Sequence, residues 1–213
     1  MTVDLPARPR PIILLNATQV VAEFIQGGLM PLSKKVQEIV DSINADRQAL
    51  LASIEGLSQS QLQYTAADGQ WSIEDILHHL AISDEANGKL MGGMLKKAES
   101  LNLDPDPSPD GSELHSLDGF ADALKTRAQA PDFVTPRSHL PAEESLARLA
   151  SSRDRMLGAV DQLGKYDLYQ LTYPHPLLGN LNLYQWLIIA GRHEARHAAQ
   201  IKRIKAEPEF PKG

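Results

Sequence analysis

The chain has 213 residues, 42% of them hydrophobic, enough for one domain with a real core or one domain plus appendages. Its formal net charge is −6 and no basic run exceeds a few residues, which argues against a nucleic-acid surface. There is no cysteine, so disulfides, thiolate metal sites and thiol nucleophiles are excluded, and any metal must be held by histidine and carboxylate.

In chain order, residues 1–29 read as an appendage: an extended piece, then a short helix over Ala17 to Ile25. Arg8, Arg10 and the apolar Ile12 to Leu15 resemble a signal peptide only superficially. Asn16, Thr18, Gln19 and Glu23 break the run, and no small-residue cleavage site follows. The run is also too short and polar to span a membrane. With no cysteine and no export signal, the expected location is cytoplasmic. Met30 is an alternative native start, because Gln26-Gly27-Gly28 can be encoded by a purine-rich run resembling a ribosome-binding site.

From Pro31 helical periodicity sets in. Leu32, Val36, Ile39, Val40, Ile43, Leu50, Leu51 and Ile54 share a face, so a first helix is expected from Leu32 to Glu55, stopped by Gly56. Leu57 to Leu62 reads as one further turn, and Asp68-Gly69 as a loop. Ser72 caps a second helix with Asp75 three residues on. Its stripe of Ile73, Ile76, Leu80, Asn87, Leu90, Met91 and Met94 runs to about Leu101. The proline-rich stretch Asn102 to Leu117 cannot continue a helix and is long enough for a crossover. A short helix is expected over Gly119 to Arg127, and Phe133 to Pro136 reads as extended. Pro141 opens a third helix, with Leu146, Leu149, Met156, Leu157, Val160 and Leu163 as its apolar face until Gly164. Tyr173 to Gly179 reads as a rigid loop, with no strand expected anywhere. Four long helices and one long crossover predict an all-α, antiparallel four-helix bundle over residues 30–213.

The last helix, Leu181 to Ile204 with Asn182 and Gln185 as its capping box, carries an anomaly. Trp186, Ala190, His193, His197, Ile201 and Ile204 follow at steps of three or four, so two histidines occupy the core-facing stripe. Arg192, Glu194, Arg196, Lys202, Arg203 and Lys205 fall largely off it. Histidines at i and i+4 lie about 6 Å apart and can chelate one ion. Alone, the pair more often means core histidines satisfied by neighbouring groups. A third ligand changes that balance, and His79, at the border of the second helix's stripe, suits the role better than His78, turned about 100° away. Glu74 and Gln200 are candidates to orient ligands, and His175, between two prolines, to hang over the site mouth. His115 and His139 read as solvated, and Trp71 and Trp186 as core anchors.

Trp71-Ser-Ile-Glu-Asp-Ile-Leu-His-His79-Leu80 and His193-Glu-Ala-Arg-His197-Ala-Ala-Gln200-Ile201, in this order at opposite ends of a four-helix chain, resemble the DinB/YfiT-like superfamily. The resemblance runs from Met30 onward and includes the Pro-x-Leu-Gly loop before the last helix. It implies a bundle binding a divalent metal through one histidine of the second helix and two of the last, here His79, His193 and His197. Where many members carry a further histidine before the last ligand, this chain has Arg196. Three neutral imidazoles leave coordination positions open, as catalytic sites do, and suit Zn²⁺ or Ni²⁺, with Fe²⁺ and Mn²⁺ also accommodated. Related proteins include transferases of low-molecular-weight thiols such as bacillithiol or mycothiol, so the expected partner is a small-molecule substrate, with such a thiol as cosubstrate. A metal-assisted hydrolase is the parallel expectation. A non-catalytic metal-binding or stress-response module, or a metal-free helical scaffold, are the alternatives. Exposed helix faces are expected to pair two copies as a homodimer, with no nucleic-acid or membrane partner.

Overall fold

Ser33 starts the first helix by accepting a hydrogen bond from the Val36 N–H, and α1 then runs Lys34–Ile54. This computed structural model describes residues 32–66, 70–118 and 130–212. The appendage, its short helix, the Asp68-Gly69 loop and the helix expected at 119–127 lie outside the described residues. The chain divides into units 1–31 and 32–213, and the elements described belong to the second.

Gln59–Leu62 forms the further turn, α2. α3 spans Ile73–Ser100 and opens on the expected capping box, in which the Asp75 N–H donates to Ser72 Oγ and the Ser72 N–H donates to the Asp75 carboxylate. α4 spans Ala142–Leu157, shorter than its apolar pattern suggested: the helix stops at Gly158, and Val160–Lys165 is a 3₁₀ segment. Val160 and Leu163 are still buried, because a 3₁₀ turn also brings residues three apart onto one side. α5 spans Leu183–Lys205, its Asn182–Gln185 capping box formed as the sequence implies.

Two short stretches differ from expectation. Asp132–Val134 is a 3₁₀ turn rather than extended chain, with Pro131 before it setting the entry. The supposed rigid loop is a β-hairpin, β1 (Thr172–His175) antiparallel to β2 (Gly179–Asn182), with Thr172 opposite Asn182 and His175 opposite Gly179. Prolines 174 and 176 hid it, yet a two-stranded ribbon is all edge, where proline is tolerated. Gly179, at φ 73°, supplies the left-handed residue that closes the three-residue turn.

The long helices form the expected four-helix bundle, and α5 packs against both α1 and α3. Ile43 and Arg47 of α1 meet Gly191 and Glu194 of α5 in the same order along the chain, so those two helices run parallel. α3 and α4 also run parallel, with Glu74 against Ala142 at one end and Leu95 near Ala159 at the other. Leu101 to Pro141 is the crossover that permits this, and α3 and α5 remain antiparallel. The crossover is tied down by fully buried Lys35, whose ammonium donates to Asp106, Ser108 and Tyr169. Burial alone would lower its pKa, but these partners hold it above the ordinary value.

The core falls into two apolar clusters. One gathers Ile39, Ile43, Met91, Met156, Leu187 and Ala190, the other Leu50, Leu77, Leu80, Leu149, Ala198 and Ile201. Between them each long helix contributes one buried charge: Arg47, Asp84, Arg153 and Glu194. An ionic layer thus separates the two apolar clusters at the waist of the bundle.

Candidate metal centre

His79 projects from the second turn of α3 and His193 and His197 from successive turns of α5. Their rings converge. His193 Nε2 lies 3.1 Å from His79 Nε2 and 3.0 Å from His197 Nε2. The His79 Nδ1–H donates to the Val134 carbonyl at 2.8 Å, and the His197 Nδ1–H to Gln200 Oε1 at 2.9 Å. With those protons on Nδ1, neutral His79 and His197 present Nε2 lone pairs inward. His193 Nε2 faces both and can offer at most one proton between them. At about 3 Å such a cluster is uncompensated without a cation. Tetrahedral coordination with about 2.0–2.1 Å bonds needs nitrogens only slightly further apart, roughly 3.4 Å. The donor set fits one divalent ion.

Electrostatics agree. Burial lowers the pKa of all three imidazoles: His79 moderately, His193 well below the ordinary value with help from His197 and His79, and His197 down to about 3. They are neutral ligands at neutral pH, with little proton competition. The Trp71 indole packs 4.8 Å from the His79 ring and walls one side.

The other candidates separate. Gln200 contacts His197 Nδ1 and orients that ring. His175 packs 5.2 Å from Trp186, a residue of the same helix as His193 and His197. Glu74 does not contact the triad: its buried carboxylate accepts from Gln59 Nε2 and the Ala142 N–H, joining α2, α3 and α4. His78 is buried yet takes no part in the cluster. His115 and His139 are exposed, beside Asp118 and Glu74.

Glu194 overturns its expected surface position. Its side chain has no exposure, and Oε2 accepts from Arg47 Nε at 2.6 Å while Oε1 accepts from Arg47 Nη2 at 2.7 Å and Arg153 Nη2 at 2.8 Å. Arg47 Nη2 also donates to Asp84 at 2.9 Å. Burial would raise the Glu194 pKa, but the two arginines hold it below the usual carboxylate range; burial and then Glu194 itself push Asp84 up. His193-Glu194-Ala-Arg-His197 spells the H-E-x-x-H of zinc proteases, in which the glutamate is the general base. Here that carboxylate is turned into the core and held by two arginines, so it cannot serve. A signal existed in the sequence: Arg47 sits three and four residues from Leu50 and Ile43, on the apolar stripe of α1.

Known proteins resemble this chain. "Uncharacterized protein YuaE" of Bacillus subtilis (strain 168) is 26% identical over 157 residues, spanning 73% of this chain and 90% of its own. A protein of Geobacillus thermodenitrificans (strain NG80-2) named "Putative metal-dependent hydrolase" is 26% identical over 173 residues, 81% of this chain and 85% of that one. The crystal structure of TT2238, a four-helix bundle protein, matches with a TM-score of 0.51 at 21% identity, covering 78% of this chain and 96% of that one, a likeness of fold. The sequence model of the DinB superfamily matches residues 42–201, a span that contains all three converging histidines, and the chain belongs to that superfamily.

Proposed function

We propose that the chain is a metal-dependent enzyme acting on a small molecule, with one divalent ion held by His79, His193 and His197, and that hydrolysis is its reaction class. The observation that carries this reading is the convergence of three Nε2 atoms whose rings are neutral, two of them fixed from behind by Val134 and Gln200. His79, His193 and His197 would hold the ion, Zn²⁺ or Ni²⁺ by ligand type, and it would supply Lewis acidity for activating a nucleophile. The relatives named as metal-dependent hydrolases support water as the nucleophile. A low-molecular-weight thiol from a cosubstrate would be activated in the same way.

The chain's own residues supply the rest. Burial keeps His175 neutral, its pKa lowered, and its Nδ1 accepts the Leu177 N–H at 3.2 Å, which leaves the proton on Nε2. We assign that N–H to a substrate oxygen at the site mouth. The test is an assay of the Zn²⁺- and Ni²⁺-loaded chain against ester, amide and lactone panels, with and without a bacillithiol-type thiol and an electrophile. Hydrolysis lost on His193→Ala, and reduced about tenfold in kcat with unchanged metal content on His175→Ala, is expected. Thiol consumption without hydrolysis would replace the nucleophile. Inactivity in every arm would leave a binding module.

A further inference from the structure

His193 is flanked along α5 by Gly191, which lies against Ile43 of α1, and by Glu194, the α5 member of the ionic waist. We infer that Gly191 and Glu194 are positioning residues: with Arg47, Asp84 and Arg153 they fix the rotation and height of α5 so that His193 and His197 meet His79. The inference rests on the metal reading of the triad.

On one side of His193, a Cβ on Gly191 would come within 2.9 Å of Ile43 Cγ2 and 3.0 Å of Ile43 Cα, so α5 lies against the α1 backbone as closely as glycine allows. On the other side, Glu194 is gripped by Arg47 from α1 and Arg153 from α4, and Arg47 is held in turn by Asp84 from α3. Apolar side chains alone would permit α5 to slide or turn, since ridges and grooves repeat with every turn. A bidentate guanidinium–carboxylate pair has a single geometry. Such a layer is expensive to bury, and apolar replacements of similar volume usually leave a fold as stable or more so. Stability therefore does not explain it, whereas a requirement for accurate placement does: a rotation of α5 by a few tens of degrees would carry His193 out of reach of His79.

The test uses the full chain, tag-free and metal-stripped, titrated with Zn²⁺ by calorimetry and with Co²⁺ by visible absorption, at a temperature where circular dichroism shows each metal-free variant folded. Arg47→Met/Asp84→Leu/Arg153→Met/Glu194→Leu should melt at or above wild type yet bind Zn²⁺ at least about tenfold more weakly, with an altered Co²⁺ spectrum. Gly191→Ala, with all ligands retained, should weaken Zn²⁺ similarly. Ile39→Ala, a core truncation in the cluster away from the triad, should lower the melting temperature and leave Zn²⁺ affinity unchanged. If the fourfold variant does not fold, Glu194→Gln, which keeps the shape and loses the charge, carries the comparison. Wild-type affinity and an unchanged spectrum in the folded waist variants would overturn the inference while leaving the metal reading intact. A wild-type chain that takes up neither ion overturns both.

Discussion

Each imidazole of the triad is neutral because burial makes its charged form costly, and each points its ε nitrogen the same way. His79→Ala, His193→Ala and His197→Ala should therefore each weaken Zn²⁺ binding by at least about a hundredfold, while His78→Ala should not. Calorimetric titration of the four variants decides this, and loss on His78→Ala alone would mean that the helical phase assigned to α3 is wrong. His79 was preferable to His78 from spacing, because adjacent residues on a helix point about 100° apart. Glu194 was not legible in the same way. A glutamate among arginines reads as solvated surface, and its partner Arg47 lies 147 positions away. Asp84 gives the pH dependence of the waist. Its folded pKa is raised by burial and then by Glu194, so between the ordinary carboxylate value of about 4 and that raised value the folded chain holds a proton the unfolded chain has released. Wild-type stability thus contains a cost that grows with pH across that window. Asp84→Asn, which never ionises, should raise the melting temperature by more at pH 7 than at pH 5. A gain that shrinks as pH rises would contradict the assignment.

At the level of elements, local chemistry fixes the starts of the two helices that carry the three histidines. Ser72, with Asp75, starts α3 about two turns before His79, and Asn182 and Gln185 start α5. Ser72→Ala removes the acceptor for the Asp75 N–H and should cost about 1 kcal/mol in urea unfolding; no change would mean that packing alone sets the helix start. These signals are short in range, which is why they could be read directly from the chain. The hairpin was not, because Pro174 and Pro176 suggest rigid loop and its pairing depends on Gly179 and on packing against Trp186 through the indole N–H to Tyr173 carbonyl bond. The early end of α4 was missed for a related reason: Val160 and Leu163 keep an apolar spacing that a 3₁₀ segment satisfies as well as an α-helix.

For the whole molecule, periodicity foretold four long helices, and the proline-rich crossover foretold that one connection would be long. The consequence that α1 and α5 run parallel, as do α3 and α4, needed three dimensions, since helix direction depends on where the crossover lands. Its departure is fixed by Lys35 and Asp106, both buried and distant in sequence, and its arrival by the Ala142 N–H donating to Glu74. Among the described residues no helix is long and apolar enough to cross a membrane. The resulting bundle places one histidine from α3 against two from the antiparallel α5, and the proposed chemistry depends on what those three nitrogens hold. The most direct measurement is elemental analysis of the tag-free chain together with its melting curve before and after chelation. One Zn²⁺ or Ni²⁺ per chain is expected, with a melting temperature that falls on chelation, recovers on adding the ion back, and does neither in His193→Ala. A metal-free preparation whose melting curve is unmoved by Zn²⁺, Ni²⁺, Fe²⁺ or Mn²⁺ would contradict it.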